Sequence, residues 1–133
     1  MRAKVDTKQL RELQKKIQQF EQVGFDGLAE RCTNQLASRM IRKCVKRNEI
    51  AKDTGNMERS WKANKAVKHG SQWRTDVFNP VEYAPYVEYG HRTINGGWVN
   101  GFFIMTRSAD EIERDAPKII EKEVNKELAR VFE

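Results

Sequence analysis

The stretch Glu82-Tyr83-Ala84-Pro85-Tyr86-Val87-Glu88-Tyr89-Gly90-His91 divides the chain into two kinds of structure. Pro80, just before it, cannot donate to a β-ladder and so closes whatever strand precedes it. Pro85 falls in the first turn of a short helix over Glu82–Tyr89, where a missing N–H costs little, and Gly90 suits the position just past its end. Tyr83, Tyr86, Val87 and Gly90 recur at i, i+3, i+4 and i+7. That spacing predicts one shared face, with the tyrosines packed against a sheet and their hydroxyls reaching water.

Upstream, the apolar period is close to two. Trp61, Ala63, Lys65 and Val67, then Trp73, Thr75, Val77 and Asn79, alternate on either side of the turn Lys68-His69-Gly70-Ser71-Gln72. The pattern predicts two antiparallel strands over 60–68 and 72–79. Before them, Asp53-Thr54-Gly55 offers a turn and a cap leading into a short helical turn at Met57–Trp61, and residues 48–56 read as loop.

Further upstream the period becomes helical. Leu28, Cys32, Leu36, Met40, Ile41, Cys44 and Val45 fall on one broad side of a helix from about Asp26 to Arg47. Arg39, Arg42, Lys43, Lys46 and Arg47 occupy the remaining arc. Such a basic face is a solvated outer surface, a phosphate-facing stripe or a dock for an acidic partner. An amphipathic helix over 6–22 precedes it, with Asp6 or Thr7 as cap and Leu10, Leu13, Ile17 and Phe20 as its stripe.

Downstream, residues 91–101 are Gly-rich and carry the turn signals Asn95-Gly96 and Asn100-Gly101 on either side of Trp98-Val99. They read as a mobile arm or a short edge hairpin. The last element is a helix over Ala109–Phe132, starting as early as Phe102, with the stripe Ile112, Ala116, Ile119, Ile120, Val124, Leu128 and Val131. Pro117 predicts a bend in it. The whole is a single α+β domain spanning 1–133, with a small antiparallel sheet between long N-terminal helices and a long C-terminal one.

Composition bounds the function. Hydrophobic residues make up 38% of the chain and charged residues 33%, which predicts a thin core and stability completed by a partner subunit. No apolar run approaches the roughly 20 residues that span a bilayer, and the N-terminus lacks the apolar stretch of a secretory signal, so no membrane role and cytoplasmic synthesis are expected. Cys32 and Cys44 lie about 18 Å apart along one helix, too far to pair, and read as buried apolar fillers. Residues 1–70 hold seventeen Lys and Arg against eight Asp and Glu, a formal +9, while residues 71–133 hold eight against eleven, a formal −3. The asymmetry marks either a nucleic-acid footprint or two complementary faces on neighbouring copies.

The inventory is poor for catalysis. His69 and His91 form no zinc spacing, and neither cysteine belongs to a C-x-x-C pair, so no metal or cofactor is expected. Glu82 and Glu88 lie about 240° apart around a helix and do not converge, leaving Glu88 beside His91 as the remnant of a nuclease idea. Asp110, Glu111 and Glu113 suit the start of a helix through its dipole. Trp61 and Trp73 read as sheet aromatics. Trp98, in a loop polar on both sides, reads as an anchor for a neighbouring subunit.

Three motifs recur together here. They are Thr54-Gly55 with Ser60-Trp61, then Tyr83-Ala84-x-Tyr86-Val87-Glu88-x-Gly90-His91, then Gly97-Trp98-Val99-x-Gly101-Phe102-Phe103. In this order they resemble the HK-ninety-seven gene-ten-like tail-component family of long-tailed phages, whose relatives include tail-completion and head–tail joining proteins. The chain departs from the family at Asn100, where Val-Pro-Gly is frequent, and at Met57-Glu58-Arg59, where a Leu-Arg pair is frequent. The resemblance implies a small curved sheet flanked by helices, and a non-enzymatic virion protein at the head–tail joint or tail of a phage or prophage. It implies a homo-oligomeric ring, with a hexamer as the expected form, between tail-tube and head-connector proteins. Tyr83, Tyr86, Glu88, Tyr89, His91, Trp98, Val99 and Phe102 are the candidate contacts, and Arg39, Arg42, Lys43, Lys46 and Arg47 the candidate face toward passing DNA. The competing reading is a small basic nucleic-acid-binding module.

Overall fold

The computed structural model describes residues 8–19, 21, 24–51 and 54–132. The expected caps Asp6 and Thr7, the stripe residue Phe20 and the turn residue Asp53 lie outside them. Helices α1 (Lys8–Gln19), α2 (Phe25–Asn48), α3 (Asn56–Arg59), α4 (Ala84–Tyr89) and α5 (Ile104–Phe132) carry most of the chain. Six short strands complete an α+β fold: β1 (Lys62–Ala63), β2 (Val67–His69), β3 (Gln72–Arg74), β4 (Val77–Phe78), β5 (Gly90–Arg92) and β6 (Trp98–Asn100).

The strands form three two-stranded antiparallel ladders, β1 with β4, β2 with β3, and β5 with β6. The first two lie along the hairpin that the period-two pattern predicts, but it is not continuous. Ala63 pairs with Val77, whereas Val67 pairs with Arg74, so three residues on one arm face two on the other. A one-residue excess of this kind is a bulge, and it bends the ribbon. Here it turns Ala66 inward, where it is buried and its N–H donates to Asn34 Oδ1 at 3.3 Å. Near the hairpin tip, Lys68 Nζ and Trp73 Nε1 both reach the Asp26 carboxylate at the start of α2, at 3.0 and 3.5 Å.

The core is small, as the composition implies. Cys44, Met57, Trp61, Ala84 and Ile104 form it, with Met40, Ile41, Val45, Val77, Val81, Val87 and Met105 packed around. It sits where the C-terminal half of α2 meets α3, α4 and the beginning of α5. Asn48, one residue beyond the expected end of α2, is buried there and accepts the Trp61 indole N–H at 2.8 Å. Beyond it the chain tightens into a 3-10 turn over Glu49–Ala51, where a loop was expected.

Helices α2 and α5 run antiparallel against each other. Arg31 reaches Glu127 at one end, while Lys43 and Arg47 both reach Glu111 at the other. Three cations of the basic first half are thereby matched to two carboxylates of the acidic second half within one chain. Helix α5 continues through Pro117 as a single element, although that residue has no N–H to give to the turn before it. Cys32 and Cys44 are both buried, free thiols.

Candidate functional site

Helix α4 is six residues long, and its sequence sorts cleanly around the axis. At about 100° per residue, Ala84, Val87 and Glu88 fall within about 100° of arc and Tyr83, Tyr86 and Tyr89 on the opposite side. Ala84 and Glu88 are buried and Val87 packs on the core, while all three tyrosines are exposed. This corrects the expected face: Val87 goes with Ala84 and Glu88, and the tyrosines stand away from the sheet because the inward side is already filled.

Glu88 is the keystone of the region. It is only 4% exposed, yet each carboxylate oxygen is satisfied. Oε2 accepts the amide of Met105 at 2.9 Å, and Oε1 accepts the amide and the hydroxyl of Thr106 at 2.8 and 2.9 Å. These are first-turn amides of α5, which the helix itself leaves without acceptors. Phe103, just before α5, has no side-chain oxygen to offer and takes a left-handed φ of 52°. A distant carboxylate replaces the missing local cap, in a position where the helix dipole also favours negative charge.

Backbone contacts extend the clamp. The amides of Phe102 and Phe103 donate to the carbonyls of Val87 and Glu88 at 2.9 and 3.1 Å. For the chains to approach this closely, two positions must lack a side chain. A Cβ on Gly101 would lie 2.2 Å from the Glu88 carbonyl oxygen, and one on Gly90 would lie 2.4 Å from the Val99 carbonyl oxygen. Gly90 also has a φ of 88°, which disfavours any other residue. The E-x-G-H and V-x-G-F-F motifs are thus two sides of one crossing.

The Gly-rich segment between them is an ordered hairpin, the second of the two forms its composition allowed. His91 pairs with Val99 and Arg92 with Trp98. Its turn closes through Thr93, whose carbonyl accepts Gly96 N–H at 3.1 Å and whose Oγ1 accepts Gly97 N–H at 2.9 Å, with Gly96 at a φ of 81°. Trp98 lies over the bare face of Gly90 and is still 59% exposed. On the other face of the ladder, the His91 ring meets Tyr86 edge-on with centroids 5.9 Å apart, and Tyr89 meets Phe103 likewise at 6.5 Å.

The sequence-derived contact residues therefore divide. Tyr83, Tyr86, Tyr89, Trp98, Val99 and Phe102 are exposed on α4, the β5–β6 hairpin and the segment that follows it. His91 is half-buried among them. Glu88 is withdrawn from the surface and holds the others in place. The basic face divides too. Lys43 and Arg47 are bound to Glu111, whose carboxyl is lowered to about 2 by hydrogen bonds first from Arg47 and then from Lys43. Arg39 is half-buried, and Arg42 and Lys46 are exposed.

The capping role of Glu88 escaped the sequence reading. The available signal was negative: a long helix beginning after Phe102-Phe103, with no Ser, Thr, Asp or Asn at its start, must find acceptors elsewhere. Among the described residues, no cluster of His, Cys, Asp or Glu could hold a metal ion, and no helix is long and apolar enough to cross a membrane.

Helix α4, the β5–β6 hairpin and the segment after it thus form a clamped platform that presents exposed aromatic side chains. The chain belongs to the HK97-gp10-like family, described as "Bacteriophage HK97-gp10, putative tail-component", which matches residues 11–90. Membership places it among phage tail components, proteins that work in contact with other virion proteins. No curated protein and no solved structure matches it.

Proposed function

We propose that the protein is a non-enzymatic structural subunit of the virion, acting in tail completion or head–tail joining as a ring of identical copies. The observation that carries this reading is the α4/β5–β6 platform. It exposes Tyr86, Tyr89, Trp98 and Phe102 on backbone fixed by Glu88, Gly90 and Gly101. Rigid aromatic side chains lose little conformational entropy on contact, and such residues dominate the centres of protein interfaces. A single small core with so much exposed apolar surface suits a subunit completed by its neighbours.

A ring is a closed heterologous assembly, in which one patch meets a different patch on the next copy. The platform supplies one of the two patches, and six copies is the form to test first. Tail-tube and head-connector proteins are the proposed neighbours above and below. The absence of catalysis is part of the proposal, and it is supported by the commitment of both Glu88 oxygens to α5.

The test is mass in solution by light scattering after size exclusion, over a wide concentration range, with and without the tail-tube protein. A defined multimer, alone or with the tube, is expected, and Trp98→Ala should abolish it. A strict monomer under both conditions would overturn the ring.

A further inference from the structure

The packing of α2 on α5 creates a second surface, remote in character from the aromatic platform. Along α5, Lys118, Lys122 and Lys126 recur every fourth residue and are exposed, so successive ammonium groups leave the helix about 6 Å apart along its axis. They border a cleft of about 290 Å³ whose other wall is Arg39 of α2. A second cleft of about 190 Å³ shares Arg39 and Ile119 with the first and continues to Arg42. Together the two form one groove between the helices, with five cations along it besides Lys43, which is bound to Glu111.

The opposing charge is limited. Glu123 is half-buried in the groove and lies 3.6 Å from Lys126, and Asp115 lies 3.8 Å from Lys43, which is itself bound to Glu111. Glu121 stands on the outer flank of the lysine row. At the centre, Arg39 Nε is a buried donor with no acceptor among the described residues, and the neighbouring Gln35 Oε1 is likewise unpartnered. A buried donor without a partner is costly and rare in a folded protein.

We infer that this α2–α5 groove binds the phosphate backbone of duplex nucleic acid without reading its sequence. A phosphate chain is a line of negative charge that asks for a line of cations and little else. An acidic protein partner would need apolar anchors at the centre of its contact. None of the exposed large apolar side chains lines the groove, and its own apolar residues, Ile112 and Ile119, are half-buried between the helices. The inference replaces the single-helix basic face: Lys46 and Arg47 leave it, Lys43 borders the groove but is held by Glu111, and Lys118, Lys122 and Lys126 join it. It stands whether or not the protein forms a ring.

The test is fluorescence anisotropy with a short labelled duplex of arbitrary sequence, titrated with salt from about 50 to 200 mM. The whole protein is expected to bind with a log–log salt slope of about −4, close to one unit per phosphate contacted. Lys118→Gln/Lys122→Gln should weaken binding about tenfold and reduce the slope by about two units. Lys62→Gln/Lys65→Gln, an equal charge change on the exposed β1 arm, should weaken it less than about twofold. Thermal melting of each variant checks that it is folded. No binding at low salt, equal losses in the two pairs, or groove-dependent binding of polyglutamate but not of DNA would overturn the inference.

Discussion

The Glu88 carboxylate accepts both the amide and the hydroxyl of Thr106, at 2.8 and 2.9 Å, and so joins α4 to the start of α5 across eighteen residues of chain. Replacing Glu88 by Ala removes the acceptor and leaves first-turn donors facing a cavity. We expect a loss of about 2–4 kcal/mol in stability for Ala, and about half that for Gln, which keeps one acceptor oxygen. Urea denaturation of the two variants measures both. Equal stability of Glu88→Ala and the parent would show that water caps α5 just as well.

The crossing beneath Glu88 predicts a ranking among glycines. Gly101→Ala forces a Cβ within 2.2 Å of a backbone oxygen, and Gly90→Ala adds an unfavourable φ to a 2.4 Å clash. Gly96→Ala shares the positive φ but meets nothing within 4 Å. The first two should lose at least about 3 kcal/mol or fail to fold, and Gly96→Ala only about 1 kcal/mol. Melting temperatures of the three variants give the order directly.

Acid should act through Glu111. Its ordinary value of 4.5 falls to about 2 in the folded chain, because Arg47 and then Lys43 hold the charged form. A carboxyl depressed on folding stabilises the protein above the unfolded value, and that contribution is lost as pH falls through the folded one. Stability should therefore drop between pH 4.5 and about 2, and the drop should be smaller in Glu111→Gln. Because Glu111 is partly exposed, high salt should also reduce it. Denaturation midpoints across that pH range, with and without added salt, test both statements.

Thiol chemistry reports on the core. Burial raises the thiols of both Cys32 and Cys44 above their usual range, and neither is paired. A disulfide reagent at neutral pH should modify them only as fast as the protein opens, and both at once in denaturant. Rapid labelling of Cys44 in the native protein would contradict its complete burial.

Trp98 separates folding from assembly. It is 59% exposed and sits over Gly90, so Trp98→Ala should change the stability of the single chain by less than about 1 kcal/mol. On the proposed function it should nevertheless abolish subunit association. Comparing melting of the dilute protein with light scattering at high concentration distinguishes the two effects.

Local periodicity was enough to find α2 and α5, the strand-rich hairpin between them, and α4 with Pro85 at its start and Gly90 at its end. It also predicted that Cys32 and Cys44 would be buried and unpaired. These features follow from neighbours three or four residues apart, or two apart, whose common face must be hidden from water. The tyrosine face of α4 was misread for a related reason. A six-residue helix has too few positions for spacing alone to say which side the protein covers, and Ala84, Val87 and Glu88 took the inward side.

Nothing local distinguishes Glu88 from any exposed glutamate, and only the arrival of Thr106 beside it makes it a cap. Lys43 and Arg47 looked as open as Arg42 until α5 brought Glu111 against them from 68 and 64 positions away. The lysine row on α5 became one wall of a groove only when Arg39 supplied the other. Helical and strand periods are properties of adjacent residues, so they are written into the chain. Caps, ion pairs and grooves between elements are properties of pairs far apart in sequence, and they exist only once packing has chosen which faces meet.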